Sequence, residues 1–282
     1  MSSRTASRRL SAVMTAAVTV LVLAVMMFPL YWIVVTSLKK EIEIFRVPPT
    51  LVPHELNTDS YFAQIQHGDF NMFRSFRNSI VISTCAMLIS LVLAIPASYG
   101  VARFAFKGKR LFILGFLVTQ MLPVSVLLTP MFITFRNLHI LNTLLSAILA
   151  DATIGIPFSV LILMSYFASI PGELSDAARI DGCNHFRAFL SVFLPIASPG
   201  VVVCMVFSFL YGWGDLAYGM TFILDQTLRP ITAGMFNFLG QYGTKWSYLT
   251  AFAVVTIVPV VLIFIFMQKY IISGLTAGAV KG

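Results

Sequence analysis

Six stretches of the chain carry no Asp, Glu, Lys or Arg: residues 10–38, 78–102, 111–135, 152–172, 188–214 and 246–268, of 29, 25, 25, 21, 27 and 23 residues. Each can cross ~30 Å of hydrocarbon as a helix, which takes roughly 20 apolar residues at 1.5 Å rise per residue. Refined at their edges, they predict helices over 10–38, 78–100, 111–135, 142–167, 198–223 and 247–271. Pro29 is expected to kink the first. Pro123, Pro130 and Pro157 fall inside the third and fourth, where membrane helices tolerate proline if neighbours satisfy the freed carbonyls. The pattern gives an all-α integral membrane protein with six transmembrane helices in one domain, 10–271, flanked by short termini, 1–9 and 272–282.

Two polar connections stand out. Residues 39–77 open with Pro48, Pro49 and Pro53 and lead into the amphipathic piece Tyr61–Ile65. Residues 169–195 read as two short helices with a corner between them. Pro171 and Glu173 suit a helix start, where a missing donor is harmless and an anion meets the positive end of the dipole. Gly182 suits a left-handed C-terminal cap, and Phe186, Phe189, Leu190 and Phe193 then recur at i, i+3, i+4 and i+7, predicting one apolar face.

Composition narrows the class. Of 282 residues 58% are hydrophobic and 11% charged, against roughly 25% charged in a soluble domain, so little polar chain remains for a separate catalytic or nucleotide-binding fold. The net charge of +8 reads as membrane bias rather than nucleic-acid binding. With both termini inside, the inner segments hold eleven of the nineteen Lys and Arg, four of them within the eight residues Arg103–Arg110, while Glu41, Glu43, Glu55, Asp59 and Asp69 dilute the cations of the outer segment 39–77. The expected location is the cell membrane with both ends cytoplasmic. Arg4, Arg8 and Arg9 before an apolar run imitate a signal peptide, but 29 uncharged residues exceed an h-region of roughly 7–15. Cys85, Cys183 and Cys204 lack disulfide or zinc spacing, His54, His67, His139 and His185 are scattered, and no metal site is expected. Gly212-x-Gly214-x-x-Ala217 fits a dinucleotide fingerprint, yet no strand precedes it, and chance explains it.

The stretch Asp176-Ala-Ala-Arg-Ile-Asp-Gly182, nine residues, then Val192-Phe-Leu-Pro195 resembles the EAA loop of ABC importer permeases, with Asp176 where that pattern has Glu and Val192 where it often has Ile. The tail Gly274–Gly282 and the outer Phe45–Pro53 with Asn57–Tyr61 are similar to the six-helix second subunit of the maltose-type carbohydrate permeases. The resemblance spans nearly the whole chain. It implies the type I importer fold, a sugar or oligosaccharide cargo, a second homologous permease, two ATP-binding cassette ATPases and an extracytoplasmic binding protein. It also makes the loop 169–195 the place where ATPases grip the membrane subunit.

The residues fit that task. No G-x4-G-K-[ST] phosphate loop is present, so the chain is expected to be non-catalytic and to bind no cofactor, with ATP and Mg used by the partner ATPases. Glu173, Asp176, Ala177, Ala178, Asp181, Gly182 and Phe186 are the expected coupling contacts: small alanines allow close approach, the glycine makes the corner and the acids orient the pair. By resemblance Gly278, Lys281 and Gly282 contact the ATPases through an extended small-residue tail.

For a substrate path the candidates are Asp151, Tyr211, Trp213, Asp215 and Tyr218. Asp151 either faces the path or is hydrated or capping near the surface, since an intramembrane charge is costly. The aromatic set around Asp215 either stacks on sugar rings or forms an interface belt. In the maltose-type family the sugar contacts fall mainly on the other permease. Glycerol phosphodiesters and polyols remain alternative cargoes. An ion-coupled secondary transporter, with Asp151 and Asp215 as carriers, is the rival class; it calls for internal symmetry between halves, and none is visible.

Overall fold

The computed structural model describes residues 2–66, 71–240 and 243–279. In chain order the helices are α1 (Ser2–Ser37), α2 (Glu41–Ile44), α3 (Asp59–Gln66), α4 (Met72–Arg103), α5 (Lys109–Met121), α6 (Val124–Asn137) and α7 (Leu144–Ser169). There follow α8 (Glu173–Ile180), α9 (His185–Ala188), a π-helical turn (Phe189–Phe193), α10 (Leu194–Ile196), α11 (Ser198–Gly214), α12 (Ala217–Phe222), α13 (Ile231–Gly234) and α14 (Trp246–Ala279). Two-residue strands β1 (Leu239–Gly240) and β2 (Gly243–Thr244) pair antiparallel before α14. Among the described residues four helices are each long and apolar enough to span a membrane, and counting each of two bent pairs as one span gives six.

The chain departs from the expected spans mainly at two breaks. The predicted helix 111–135 is two helices at 102°, α5 and α6. Proline disfavours helical geometry in the residue before it, and Leu122 is accordingly extended, at φ −74° and ψ 125°, ahead of Pro123. Pro130, Pro157, Pro29 and Pro96 stay inside continuous helices. The predicted helix 198–223 stops at Gly214 and restarts at Ala217. The second span is longer than expected, beginning at Met72, where the Asn71 side chain accepts from Arg74 N.

The chain forms two compact units, residues 1–66 with 238–255 and residues 67–237 with 256–282. In the first, Glu41 caps the start of α14, accepting from Trp246 N, Ser247 N and Ser247 Oγ at 2.9, 3.2 and 2.8 Å. Phe238 packs on Tyr248 and Phe252.

In the second unit α4, α7 and α11 form the core. Small residues let the helices approach closely, as expected where lipid supplies no hydrophobic drive between them. A methyl on Gly155 would collide with Ser90, and one on Gly212 would lie 3.2 Å from both Asp151 Oδ2 and the Ser83 backbone. Three buried serines satisfy their hydroxyls on the preceding turn of chain: Ser83 donates to the Ser79 carbonyl, Ser98 to Ile95 and Ser146 to Thr143. At one end of this core α12 is held by Asn142, whose N–H donates to the Phe222 carbonyl and whose Oδ1 accepts from Leu224 N and Asp225 N.

Candidate functional site

At the opposite end of α7 the chain turns through the α8–α9 corner. Ile170 is extended before Pro171, ending α7, and α8 begins with Glu173 and Asp176 in its first turn. Two backbone donors close the helix: Gly182 N donates to the Arg179 carbonyl and Cys183 N to the Ala178 carbonyl. Gly182 has φ +82°, in the left-handed region that side chains disfavour, so the predicted corner is where it was expected. Asn184 then caps α9, accepting from Arg187 N at 2.8 Å.

Behind the corner lies a cluster of aromatic rings. Tyr99 of α4 meets Phe167 of α7 and Phe189 and Phe193 of the π turn, with ring centroids 5.5, 4.7 and 5.3 Å away. Arg103, in the last turn of α4, donates from Nη2 to the Ile170 carbonyl at 2.6 Å and lays its guanidinium 4.4 Å over the Phe193 ring. A charged hydrogen bond plus a cation–π contact fasten the loop to two core helices at once. Displacing the corner therefore pulls on α4 and α7 together.

The outward side of the corner carries Glu173, Asp176, Ala177, Asp181, Gly182 and Phe186, all exposed. Ala178 is a correction: it is buried in the aromatic cluster and anchors α8 instead of facing out. That placement turns Ile180, two residues and ~200° on, outward, and at 87% exposure it belongs with the outer face, although sequence reading passed it over. The single phenylalanine face is also corrected. Phe189 and Phe193 point inward and Phe186 and Leu190 outward, because the wide π turn, with its i→i+5 bonding, resets the phase between them. Arg103, read from sequence only as part of the basic run 103–110, is the clamp; its position at the last turn of a span was the available signal.

The proposed path residues separate. Asp151 is 2% exposed, its two carboxyl oxygens accept no hydrogen bond from the described residues, and it closes against Gly212. The hydrated or capping alternative for it does not hold. Trp213 is a packing anchor: its N–H donates to the Thr256 carbonyl at 3.0 Å, it stacks on Phe209 and it meets the edge of Phe76, leaving no face for a sugar. Asp215 breaks the helix and caps α12, accepting from Tyr218 N and Gly219 N at 3.0 Å each, while its carbonyl accepts from Thr232 Oγ1. Tyr218 is fully buried and stacked on Phe222; its hydroxyl, beside Thr153 and Tyr211, makes no hydrogen bond of ordinary geometry. Tyr211 keeps partial exposure. No cluster of three or more metal-ligating side chains occurs among the described residues. Of the tail candidates, Gly278 lies in α14, which is helical through Ala279 where an extended backbone was expected, and Lys281 and Gly282 lie outside the described residues.

Residues 86–276 match the family described as "Binding-protein-dependent transport system inner membrane component". The chain belongs to that family. This permease is 31% identical over 257 residues to the diacetylchitobiose uptake system permease protein DasC of Streptomyces coelicolor, across 91% of this chain and 92% of that protein. It is 34% identical over 267 residues to the trehalose transport system permease protein SugB of Mycobacterium tuberculosis, across 93% and 95%. Among solved structures it superposes with TM-score 0.80 and 19% identity, over 94% of this chain and 97% of the other, on a chain of a bacterial ABC transporter involved in the import of alginate. The fold is the type I ABC importer permease fold, and the protein is a multi-pass inner-membrane component of a transport system.

Proposed function

We propose that this permease forms, with a second homologous permease, the translocation path of an importer for a sugar or oligosaccharide delivered by an extracytoplasmic binding protein, and that ATP hydrolysed with Mg by two partner ATPases drives it. The observation that carries this reading is the α8–Gly182–α9 corner, exposed along an acidic and apolar face and fastened behind by Arg103 and Tyr99 to α4 and α7. Such a corner suits helix-in-groove recognition by a soluble partner and passes its movement to the spanning helices. Glu173, Asp176, Ala177, Ile180, Asp181, Gly182 and Phe186 are its contacts, and both termini lie on the ATPase side. The tail through Gly278, Lys281 and Gly282 reaches the same partners.

A carbohydrate cargo is supported by the relatives, whose names specify diacetylchitobiose, trehalose, arabinooligosaccharides and sulfoquinovosyl glycerol. The buried positions of Trp213 and Tyr218 support a reading in which the main sugar contacts of the pair fall on the other permease, with Tyr211 the candidate of this chain that keeps partial exposure. The test is uptake of labelled di- and oligosaccharides into vesicles holding the assembled transporter and its binding protein. Uptake is expected with ATP alone; accumulation driven by an ion gradient without ATP would overturn the reading.

A further inference from the structure

The connection that leaves α1 is built inside out. Asn57 N donates to the Leu38 carbonyl at 2.9 Å, closing residues 39–56 into a loop on the end of α1. Inside it the polar groups turn to one another. Glu43 Oε1 accepts from Thr50 Oγ1 at 2.8 Å and His54 N at 3.0 Å, and buried Lys39 donates to the Thr50 carbonyl with its ammonium 4.8 Å over the Trp32 ring. The apolar side chains turn outward: Ile42 and Val47 are 90% and 89% exposed, and Phe45, Leu51 and Val52 each more than half. A loop surrounded by water is arranged the other way.

The loop also folds back along its helix. The Tyr31 hydroxyl donates to the Leu51 carbonyl at 2.6 Å, and Tyr31 lies six residues before the end of α1, so Leu51 is drawn about 9 Å back along the helix axis. Interfacial segments bury their apolar side chains to a similar depth, ~5–10 Å. Phe28, Tyr31 and Trp32 cluster at this level, as aromatic residues do where hydrocarbon meets headgroups.

We propose that residues 42–52 are an interfacial wedge, seated among the headgroups and upper acyl chains of the leaflet at that end of α1. Lipid is the occupant because the wedge continues the exposed surface of α1, which carries large apolar side chains from Val13 to Phe28 and no charge. The Lys40–Glu55 pair, with side chains 59% and 71% exposed, marks the aqueous rim. Seated in this way, the wedge fixes the depth of α1 in the bilayer.

The experiment places a nitroxide at Val47→Cys, Val52→Cys and, as rim control, Glu55→Cys in the full chain with Cys85, Cys183 and Cys204 replaced by Ser, in phosphatidylcholine bilayers. Positions 47 and 52 are expected to collide more with oxygen than with a water-soluble nickel chelate, and position 55 the reverse. Nickel-dominated collisions at 47 and 52 would overturn the proposal in favour of a hydrated loop. Exclusion of both reagents would overturn it in favour of a protein partner. Val47→Trp and Val52→Trp repeat the test with the native cysteines in place: lipids brominated near the top of their acyl chains are expected to quench the added fluorescence, and absence of quenching contradicts the wedge.

Discussion

Two loops of this permease are both rigidly held, yet they are held to different things. The corner around Gly182 is fastened by Arg103 and Tyr99 to two helices of the core, whereas the loop 39–56 is fastened to helix ends, by Tyr31, Lys39 and the Leu38 carbonyl to α1 and by Glu41 to the start of α14. A loop tied across two packed helices moves them when it moves. A loop tied to helix ends, with its apolar side chains turned outward, holds those ends in place. The difference supports the proposed force transmission at the first and the proposed anchoring at the second.

The strongest way to break this contrast is Gly182→Val. A β-branched residue at φ +82° is strained by about 1–3 kcal/mol, which reshapes the corner. Binding-protein-stimulated ATP hydrolysis and uptake by the reconstituted transporter are expected to fall by about tenfold, the rate equivalent of ~1.4 kcal/mol, while membrane insertion is unchanged. Next comes Arg103→Ala, which removes the charged hydrogen bond to Ile170 and the contact with Phe193, together worth about 2–4 kcal/mol. The unfolding midpoint in detergent and the transport rate are both expected to drop, with Arg103→Lys recovering part of each because a point charge still reaches the ring.

The anchoring loop should answer more weakly. Tyr31→Phe deletes only the bond to the Leu51 carbonyl, about 1 kcal/mol, and is expected to loosen a nitroxide at position 47 while leaving transport within about twofold. The smallest effect concerns pH. The Thr50 hydroxyl donating to Glu43 holds its carboxyl below the usual glutamate range. A carboxyl depressed in the folded loop contributes order above its unfolded pKa and loses it as pH falls through the folded value. The position-47 label is therefore expected to gain mobility on acidification below the ordinary carboxylate range, and Glu43→Gln to abolish that dependence.

Much of this architecture is legible in the residue string because a bilayer demands long charge-free runs, and those runs reappear as spans. The breaks were harder. Nothing in the sequence distinguishes Pro123, which ends a helix, from Pro130 and Pro157, which do not; the outcome depends on whether neighbouring packing holds the preceding turn helical. The break at Asp215 did leave a trace, since the uncharged run stops at Gly214, but an acid followed by small and aromatic residues reads equally as a polar site until its carboxylate is seen capping α12. In the corner Gly182 was legible from backbone chemistry alone. The inward turn of Ala178 and the split of the phenylalanines depended on the π turn and on Tyr99, which lies about eighty residues earlier in the chain.

The measurement that tests the account most directly is maleimide labelling of Ala177→Cys and Phe186→Cys, in a chain whose native cysteines are replaced by Ser, using a membrane-impermeant reagent on inside-out and right-side-out vesicles. Labelling of both positions is predicted only in inside-out vesicles stripped of the ATPases, with protection when purified ATPase is added back. Labelling from the outer face, or reactivity that added ATPase leaves unchanged, would contradict the assignment of this corner as the point where force enters.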